Sequence, residues 1–424
     1  MPGLLLKFGG AIFIGLLYQF YYGEGDTFNF FTHSKIINSS LNDSPVLWLK
    51  VLFGVSPEND PYIYRYSSQM LWYTNPSSYA IPVIGAIFGL LNGTTYMPIA
   101  LLFAFFSYSG IWVMFRTFTR VYPSLHKQLA FAFLYIPSTI VWGSGVFKDT
   151  VCMFGLGWIT YTVFRMFVDK DFSVRNLLML AFSFYLIALI KVYILVAFIP
   201  GLMMWLLMTY SSRIKQKTAR WAVNILFIGA SLIVLVVLSQ RFAKELGQYS
   251  LENLAKTAKV TQDYINYVSE AEGGSAYDLG TFEPTIVSMV SKFPQAVVVT
   301  LFRPFLWEAK KPIMLLSALE SFCFVLLVIA VLYKRGFKKT GQAISKDPNL
   351  AFFFIYSIIF AFAVGISTGN FGTLSRYKIP CIPFFAALLV VLYYRAEKAK
   401  SNEVNPQLSA QIFSTSIEKQ AVPK

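Results

Sequence analysis

The stretch AFFFIYSIIFAFAVGISTGNFGTLSRYKIP, residues 351–380, decides the fold class. Its first part completes an apolar run, 350–367, close to the roughly 20 residues that a helix needs to cross a hydrocarbon core. Its second part is a short connection before the next apolar run, and it carries Asn370, Arg376 and Lys378. Short loops on the outer face of a membrane are usually poor in Lys and Arg. If this connection faces outward, its two cations indicate an anionic partner.

Apolar runs of the same kind recur along the chain. Of its 424 residues, 56% are hydrophobic and only 13% are charged, whereas soluble proteins average about 25% charged. We therefore predict an all-α polytopic membrane protein with about ten transmembrane helices. The predicted spans are 4–22, 97–115, 129–142, 147–168, 176–190, 192–210, 221–238, 313–333, 350–367 and 379–394.

Lys and Arg in the short connections predict the orientation. They gather at 213–220, at 334–339 and from 395 onward, which places these segments and both termini in the cytoplasm. The inside and outside assignments of all the connections agree only if the short apolar segment 80–91 does not cross the membrane. It would then lie in the interface or re-enter. Residues 1–396 form one transmembrane domain, and the polar residues 397–424 are predicted to be a disordered cytoplasmic tail. The predicted outer loops are 23–96 and 240–312.

Several functional classes have little support in the sequence. Basic cytoplasmic loops explain the net charge of +15, so we predict no nucleic-acid partner. Three cysteines in apolar runs and two histidines make neither a disulfide framework nor a zinc site. We expect no cofactor, and a divalent metal has no sequence support. The D-x-D-like residues 169–171 are predicted to be a solvated cytoplasmic turn.

Unusual polar groups collect on the predicted outer face. Glu24 and Asp26 directly follow the first span. They are either an ordinary solvated helix exit or a general base at the lip of a cleft, for which Asp26 is the better candidate. Lys148 and Asp149 open a later span. Lys opposes the helix dipole at this end, so an anion held above both residues would explain the pair.

Besides the opening stretch, the remaining candidates lie in two other places on the same face. Lys191, followed two residues later by Tyr193, is a lone cation between apolar runs, and it either snorkels to the surface or binds a ligand. Arg303 and Glu308 can pair with each other or with a lipid head group, whereas Trp307 suits an interfacial aromatic belt.

A carboxylate beside several cations suits transfer from a lipid phosphate. Arg376 can grip a phosphate in bidentate fashion, with Lys378 as a point charge beside it. The cations would stabilise charge on a leaving phosphate or pyrophosphate. The carboxylate would take a proton from the acceptor.

The layout resembles the GT-C superfamily of integral-membrane glycosyltransferases, which use polyprenyl-phosphate-linked sugars. Glu24 and Asp26 after the first span, the segment 80–91, and Pro137 followed by Asp149 look like features of that family. The chain lacks the C-terminal soluble domain of larger members and has no D-x-D or E-x-D in its second outer loop. Three stretches also look like uncharacterised bacterial cell-surface polysaccharide membrane proteins: PSTIVWGSGVFKD (137–149), RPFLWE (303–308) and NFGTLSRYK (370–378).

The resemblance implies a GT-C-like bundle in a bacterial inner membrane, with interface-lying helices in its first outer loop and an active site on the outer face. The implied donor is a polyprenyl-phosphate-linked sugar, and the acceptor is a glycan, lipid or protein. Catalysis would fall to Asp26 and Glu24. Donor or lipid-phosphate binding would fall to Arg376, Lys378, Lys148, Arg303, Asn370 and Lys191, supported by Asp149, Glu308, Trp307 and Tyr193.

Three other functions stay open. A polymerase could join repeat units from a polyprenyl-pyrophosphate donor with the same cations. A transporter or flippase of an anionic lipid-linked substrate would place its charges near the midplane, on broken helices. In a structural subunit of an envelope complex, these polar groups would be interface residues only.

Overall fold

The computed structural model describes residues 2–211, 286–309 and 311–404, together with 218, 229, 260, 277, 279 and 280. This part of the chain is helical and contains no strand. Its α-helices are α1 (Pro2–Leu17), α2 (Asp26–Ser39), α3 (Pro45–Leu52), α4 (Pro61–Ser67), α5 (Pro76–Gly89), α6 (Tyr96–Val121), α7 (His126–Leu134), α8 (Pro137–Trp142), α9 (Lys148–Phe167), α10 (Val174–Ser211), α11 (Ile286–Ser291), α12 (Phe293–Phe302), α13 (Pro312–Lys346), α14 (Pro348–Ser367), α15 (Phe371–Tyr377) and α16 (Ile382–Val404).

Several helices are long and apolar enough to cross a membrane. Among the described residues there are six: Pro2–Tyr22, Tyr96–Val121, Lys148–Phe167, Val174–Ser211, Pro312–Lys346 and Pro348–Ser367. The pair of α15 and α16, bent by 71°, makes a seventh if it counts as one span. The chain is therefore an all-α, multi-pass membrane protein, as its composition predicts. The count of ten spans stays a prediction, and the predicted span 221–238 lies outside the described residues.

The spans predicted at 176–190 and 192–210 are the two halves of α10, which meet at non-helical dihedral angles at Lys191 (φ −148°, ψ 71°). Asn176 and Tyr210 both form hydrogen bonds to the segment 167–171, so the chain folds back at Lys191. The structure differs from the predicted boundaries in two places. The predicted span 129–142 is two short helices, because Pro137 has no N–H to continue α7. α16 continues to Val404, so the predicted tail is helical at its start. Residues 405–424 lie outside the described part of the chain.

The predicted first outer loop is built of four helices, α2 to α5. Ser44, Asp60 and Asn75 each accept a hydrogen bond from a backbone N–H in the first turn of α3, α4 and α5, and a proline follows each of them. A small apolar cluster, with Val51 and Ile63 fully buried, holds these helices together. α5 contains most of the segment 80–91, and at 14 residues it is too short to span a bilayer.

Close backbone contacts hold the centre of the bundle together. Gly157 of α9 lies directly against the Gly110 backbone of α6, where a Cβ atom would overlap it. Gly155, on the same helix, lies against the side chain of Ile187 of α10, which a Cβ atom would also overlap. Small residues at such positions let membrane helices approach closely.

Polar contacts join the helix ends at the opposite end of α9 from Asp149. Arg120 of α6 lies 2.8 Å from Asp169, which follows α9. The Tyr122 hydroxyl donates to Asp347 at 3.0 Å, and Arg395 of α16 lies 2.7 Å from the same carboxylate. Helix ends carrying several of the cations predicted to be cytoplasmic therefore lie together.

Candidate functional site

Four ionic side chains from four helices form a continuous chain of ion pairs. Arg376 of α15 lies between two carboxylates: its Nη1 donates to Oδ2 of Asp26 at 2.7 Å and its Nε donates to Oδ2 of Asp149 at 2.8 Å. The other oxygen of Asp149 accepts a hydrogen bond from Lys191 Nζ at 2.5 Å. The two positive and two negative formal charges cancel, which burial of such a group requires. We call these four residues the ion-pair chain.

Two glycines bring Asp26 to this position. Asp26 is the first residue of α2 and directly follows Gly25, whose φ is +146°; Gly23 has a φ of +77°. Glycine adopts these dihedral angles at no steric cost, whereas residues with a Cβ are strained there. A Cβ at Gly25 would also overlap the ring of Tyr18. The sharp turn after the first span therefore depends on the two glycines.

Helix ends and a helix break supply the other members of the chain. Asp149 is the second residue of α9, where a carboxylate is favoured by the helix dipole. Lys191 occupies the break in α10. Arg376 is on α15, whose N-cap Asn370 accepts a hydrogen bond from Thr373 N at 2.7 Å. Asn370 therefore positions α15 and lines the cavity described below.

Exposure is concentrated at the Asp26 end of the ion-pair chain. The exposed fraction of the side chain is 0% for Asp149, 8% for Lys191, 13% for Arg376 and 47% for Asp26. Aromatic rings cover the cations, with Arg376 Cζ 4.2 Å from the centre of the Phe147 ring. Only Asp26 therefore has substantial access to solvent or a ligand.

Asp26 and Arg376 line one cavity of about 320 Å³, a volume in the range of small-molecule sites. Its wall combines aromatic rings, hydroxyl groups and one amide, which suits a polar ligand with an apolar face such as a sugar. The other lining residues are Tyr18, Tyr22, Trp142, Ile313, Met314, Asn370, Gly372, Thr373, Ser375 and Tyr377.

Lys378 does not share this cavity with Arg376. Its side chain is fully buried, and its Nζ donates to Ser321 Oγ at 3.0 Å and to the Arg303 carbonyl oxygen at 3.4 Å. Residues two apart in a helix point about 200° apart, so Arg376 and Lys378 face different sides of α15. The prediction that Arg376 and Lys378 bind the same phosphate is therefore wrong.

Lys148 also lies outside the cavity lining. Its Nζ donates to the hydroxyl groups of Ser77 and Ser78 at 2.9 Å each, at the N-terminus of α5. It therefore links α9 to the helices of the predicted first outer loop. Glu24 is exposed and is not among the residues that line the cavity.

Arg303 and Glu308 pair with each other, which is one of the two alternatives that the sequence left open. Arg303 Nε lies 3.1 Å from both carboxylate oxygens of Glu308, and Nη2 also donates to Oε1. Burial raises the pKa of Glu308, but the hydrogen bonds from Arg303 and from Phe305 N, together with the charge of Arg303, outweigh it, so the pKa lies below its usual value. Trp307 is exposed beside this pair and stacks on Phe305. Tyr193 lies beside the ion-pair chain, with the centre of its ring 5.9 Å from Lys191 Nζ.

Two buried charges that the sequence analysis missed hold α8. The Glu320 carboxylate accepts hydrogen bonds from Ser138 N and Ser138 Oγ at the N-terminus of α8, both at 2.8 Å. At the other end of the helix, Lys7 Nζ donates to the carbonyl oxygens of Thr139 and Gly143 at 2.8 and 2.7 Å. The negative charge of Glu320 lies at the positive end of the helix dipole, and the positive charge of Lys7 lies at its negative end. Both placements are electrostatically favourable. Ionisable residues inside apolar runs are themselves a signal, and they would have identified both positions.

The D-x-D-like motif is engaged in ion pairs, in contrast to the solvated turn that the sequence predicts. Asp169 accepts hydrogen bonds from Arg120 and Arg165 at 2.8 and 2.9 Å, and Asp171 pairs with Arg165 at 2.5 Å. The hydrogen bond from Arg120 lowers the pKa of Asp169. Within the described part of the chain, no group of three or more His, Cys, Asp or Glu is arranged to hold a metal ion.

No family model matches the chain, and no curated protein or solved structure is significantly similar to it. The chemical capacity of the site therefore follows from its own groups. A half-exposed carboxylate can accept a proton, a guanidinium one hydrogen bond away can stabilise an anion, and aromatic and hydroxyl groups can hold a sugar-sized ligand between them.

Proposed function

We propose that the protein is a GT-C-like membrane glycosyltransferase, which moves a sugar from a polyprenyl-phosphate-linked donor to a glycan, lipid or protein acceptor at the outer face of a bacterial inner membrane. The observation that carries the proposal is the 2.7 Å contact between Asp26 and Arg376 in the wall of a cavity of about 320 Å³. Sugar transfer from a lipid phosphate needs a base and an anion-stabilising cation side by side.

The proposed step uses both groups. Asp26 takes the proton of the acceptor hydroxyl as the acceptor oxygen attacks the anomeric carbon of the sugar. The bond between this carbon and the phosphate oxygen breaks, and the polyprenyl phosphate leaves with the bonding electrons. Arg376 stabilises the negative charge that develops on the leaving phosphate. Asp149 and Lys191 hold the guanidinium in place and remain bound to each other.

The proposed orientation is supported by the two ends of α9. Asp149 is near its start and Arg165 is near its end, a separation of about 24 Å at 1.5 Å per residue. If the basic end faces the cytoplasm, the ion-pair chain lies toward the outer face. Ten spans with both termini in the cytoplasm fit this orientation.

A specific observation favours one alternative from another class, a transporter or flippase of an anionic lipid-linked substrate. Lys191 is buried where the two halves of α10 meet and the chain folds back, and buried charges beside interrupted helices are typical of transporters. A repeat-unit polymerase with a pyrophosphate-linked donor stays the alternative within polysaccharide synthesis.

The test is sugar transfer by the full chain in liposomes that contain a panel of polyprenyl-phosphate sugars and acceptors. Asp26→Asn should lower the rate by about 10²-fold or more, because it removes the general base. The matched control is Asp43→Asn, which also removes a partly exposed carboxylate paired with an arginine, Arg65, at 3.3 Å. The control should stay within about twofold of the wild type, a range that corresponds to about 0.4 kcal/mol.

Two results would reject the proposal. Wild-type turnover in the Asp26→Asn variant would remove the base assignment. Movement of the intact lipid-linked sugar across the bilayer without transfer would establish the transporter alternative instead.

A further inference from the structure

We infer that the donor phosphate binds by taking the place of the Asp26 carboxylate on Arg376 Nη1, so that donor binding itself releases the base. The inference rests on the proposed function for its ligand, and it concerns how that site is regulated. In the structure, Arg376 Nη1 donates to Asp26, which lines the cavity, whereas Nε donates to Asp149, which is not among the lining residues. The proposed phosphate grips the guanidinium on its Nη1 side. A phosphate that enters the cavity therefore competes with Asp26 for the guanidinium.

Burial decides which carboxylate leaves. Asp149 is completely buried and is also bound to Lys191, so no solvent could replace its hydrogen bond from Arg376 if that bond were released. Asp26 is 47% exposed, and solvent can satisfy its carboxylate after release. Exposed ion pairs are weak compared with buried ones. Exchange at Nη1 therefore costs far less than exchange at Nε.

The local backbone gives Asp26 an alternative position. Gly23 and Gly25, both with positive φ, form the connection between the first span and α2. Glycine populates several backbone regions, so this connection can turn at little cost. The carboxylate also stays at the N-terminus of α2, a helix of 14 residues whose dipole favours a negative charge. Released Asp26 thus stays beside the cavity, where its carboxylate no longer binds Arg376.

The charge balance indicates the class of phosphate. The formal charges within the ion-pair chain sum to zero, so replacement of Asp26 by a group with one negative charge preserves the balance there. The neighbouring cation Lys148 is held by Ser77 and Ser78 and is not among the residues that line the cavity. A sugar linked to a lipid through one phosphate is a phosphodiester with one negative charge. A diphosphate leaves an excess negative charge against a largely buried cluster. The exchange therefore favours phosphodiester donors over pyrophosphate donors.

The exchange makes an unusual prediction for the binding of the donor. Asp26→Asn removes a competitor from Arg376 and should bind a phosphodiester more tightly than the wild type, while it loses transfer. An exposed ion pair is worth about 0.2–1 kcal/mol, which converts to an affinity gain of about 1.4- to 5-fold. If Asp26 only supported the ligand, the same substitution would weaken binding.

The experiment is calorimetric titration of the full chain in lipid nanodiscs with farnesyl methyl phosphate, a phosphodiester, and separately with farnesyl diphosphate. We expect tighter diester binding by Asp26→Asn and Asp26→Ser, lost binding by Arg376→Gln, and unchanged binding by the control Asp43→Asn. We also expect the wild type to bind the diester more tightly than the diphosphate.

Each contrary result overturns a defined part of the inference. Equal or weaker diester binding by both Asp26 variants would reject the exchange. Tighter binding of the diphosphate by the wild type would reject the phosphodiester class. Binding is measured without an acceptor, so a wild type that binds the diester but transfers no sugar would overturn the proposed function and leave the exchange intact.

Discussion

Asp149→Asn is expected to be among the most destabilising conservative substitutions in the described part of the chain. The Asp149 side chain has no solvent exposure, and its two oxygens bind Lys191 at 2.5 Å and Arg376 at 2.8 Å. An asparagine of the same size keeps one acceptor oxygen but carries no charge. Two largely buried cations would then be balanced only by the half-exposed Asp26.

The magnitude follows from burial. Removing one partner of a buried ion pair costs about 3–5 kcal/mol, since it leaves an uncompensated charge in a medium of low dielectric constant. Asp26→Asn removes a carboxylate from the same arginine at a half-exposed position, and should cost about 0.2–1 kcal/mol. The two substitutions are chemically identical, so the difference between them isolates the effect of burial.

The assay is the free energy of unfolding in bicelles, measured by steric trapping for Asp149→Asn, Lys191→Met and the double variant. Lys191→Met removes the cation that Asp149→Asn strands, so the double variant should lose at least about 1 kcal/mol less than the sum of the two single losses. Arg376 keeps Asp26 in these three variants and serves as the constant partner, and Asp26→Asn is measured separately for comparison. A loss no larger than that of Asp26→Asn, or strict additivity, would refute the reasoning.

Two further predictions concern positions outside the candidate site. Gly157→Ala places a methyl group against the Gly110 backbone and should destabilise the protein by about 1–3 kcal/mol in the same assay. The control is Gly9→Ala, because a Cβ at Gly9 meets no atom within 4 Å. Equal losses of stability in the two variants would contradict the packing argument. The hydrogen bond from Arg120 lowers the pKa of Asp169 in the folded protein. The ionised carboxylate therefore stabilises the fold above its unfolded pKa of about 3.9. This stability is lost as the pH falls through the lower pKa of the folded state. Asp169→Asn should therefore reduce the loss of stability below about pH 4 and leave transfer unchanged, and an unaltered pH profile would contradict it.

The sequence predicted the fold class and drew attention to the charged residues of the candidate site. It did not predict which of these side chains pair with one another. Length and hydropathy of the apolar runs indicate membrane helices regardless of what packs around them. Asp26, Asp149, Lys191 and Arg376 were each conspicuous as charges beside apolar sequence. Their connection into one chain was not visible, because Arg376 contacts a carboxylate 350 positions away in sequence.

Helix direction explains why Lys378 was misplaced. Two residues after Arg376, it looks equivalent in the sequence, yet the two side chains leave α15 on different sides. Burial then gives them different partners: Lys378 lies among Ser321 and a backbone carbonyl group, while Arg376 reaches the cavity. Spacing within a short connection cannot reveal this before the conformation of the connection is known.

By itself, the sequence determined that this protein crosses a membrane several times with helices, because hydrophobic length is a local property of the chain. It also determined where the glycines and prolines interrupt those helices. Only the tertiary structure decided that Arg376 holds one buried and one half-exposed carboxylate. That distinction depends on which helices cover each carboxylate. Because solvent reaches Asp26 but not Asp149, the pair of Arg376 with Asp26 can exchange, whereas the pair with Asp149 stays in place.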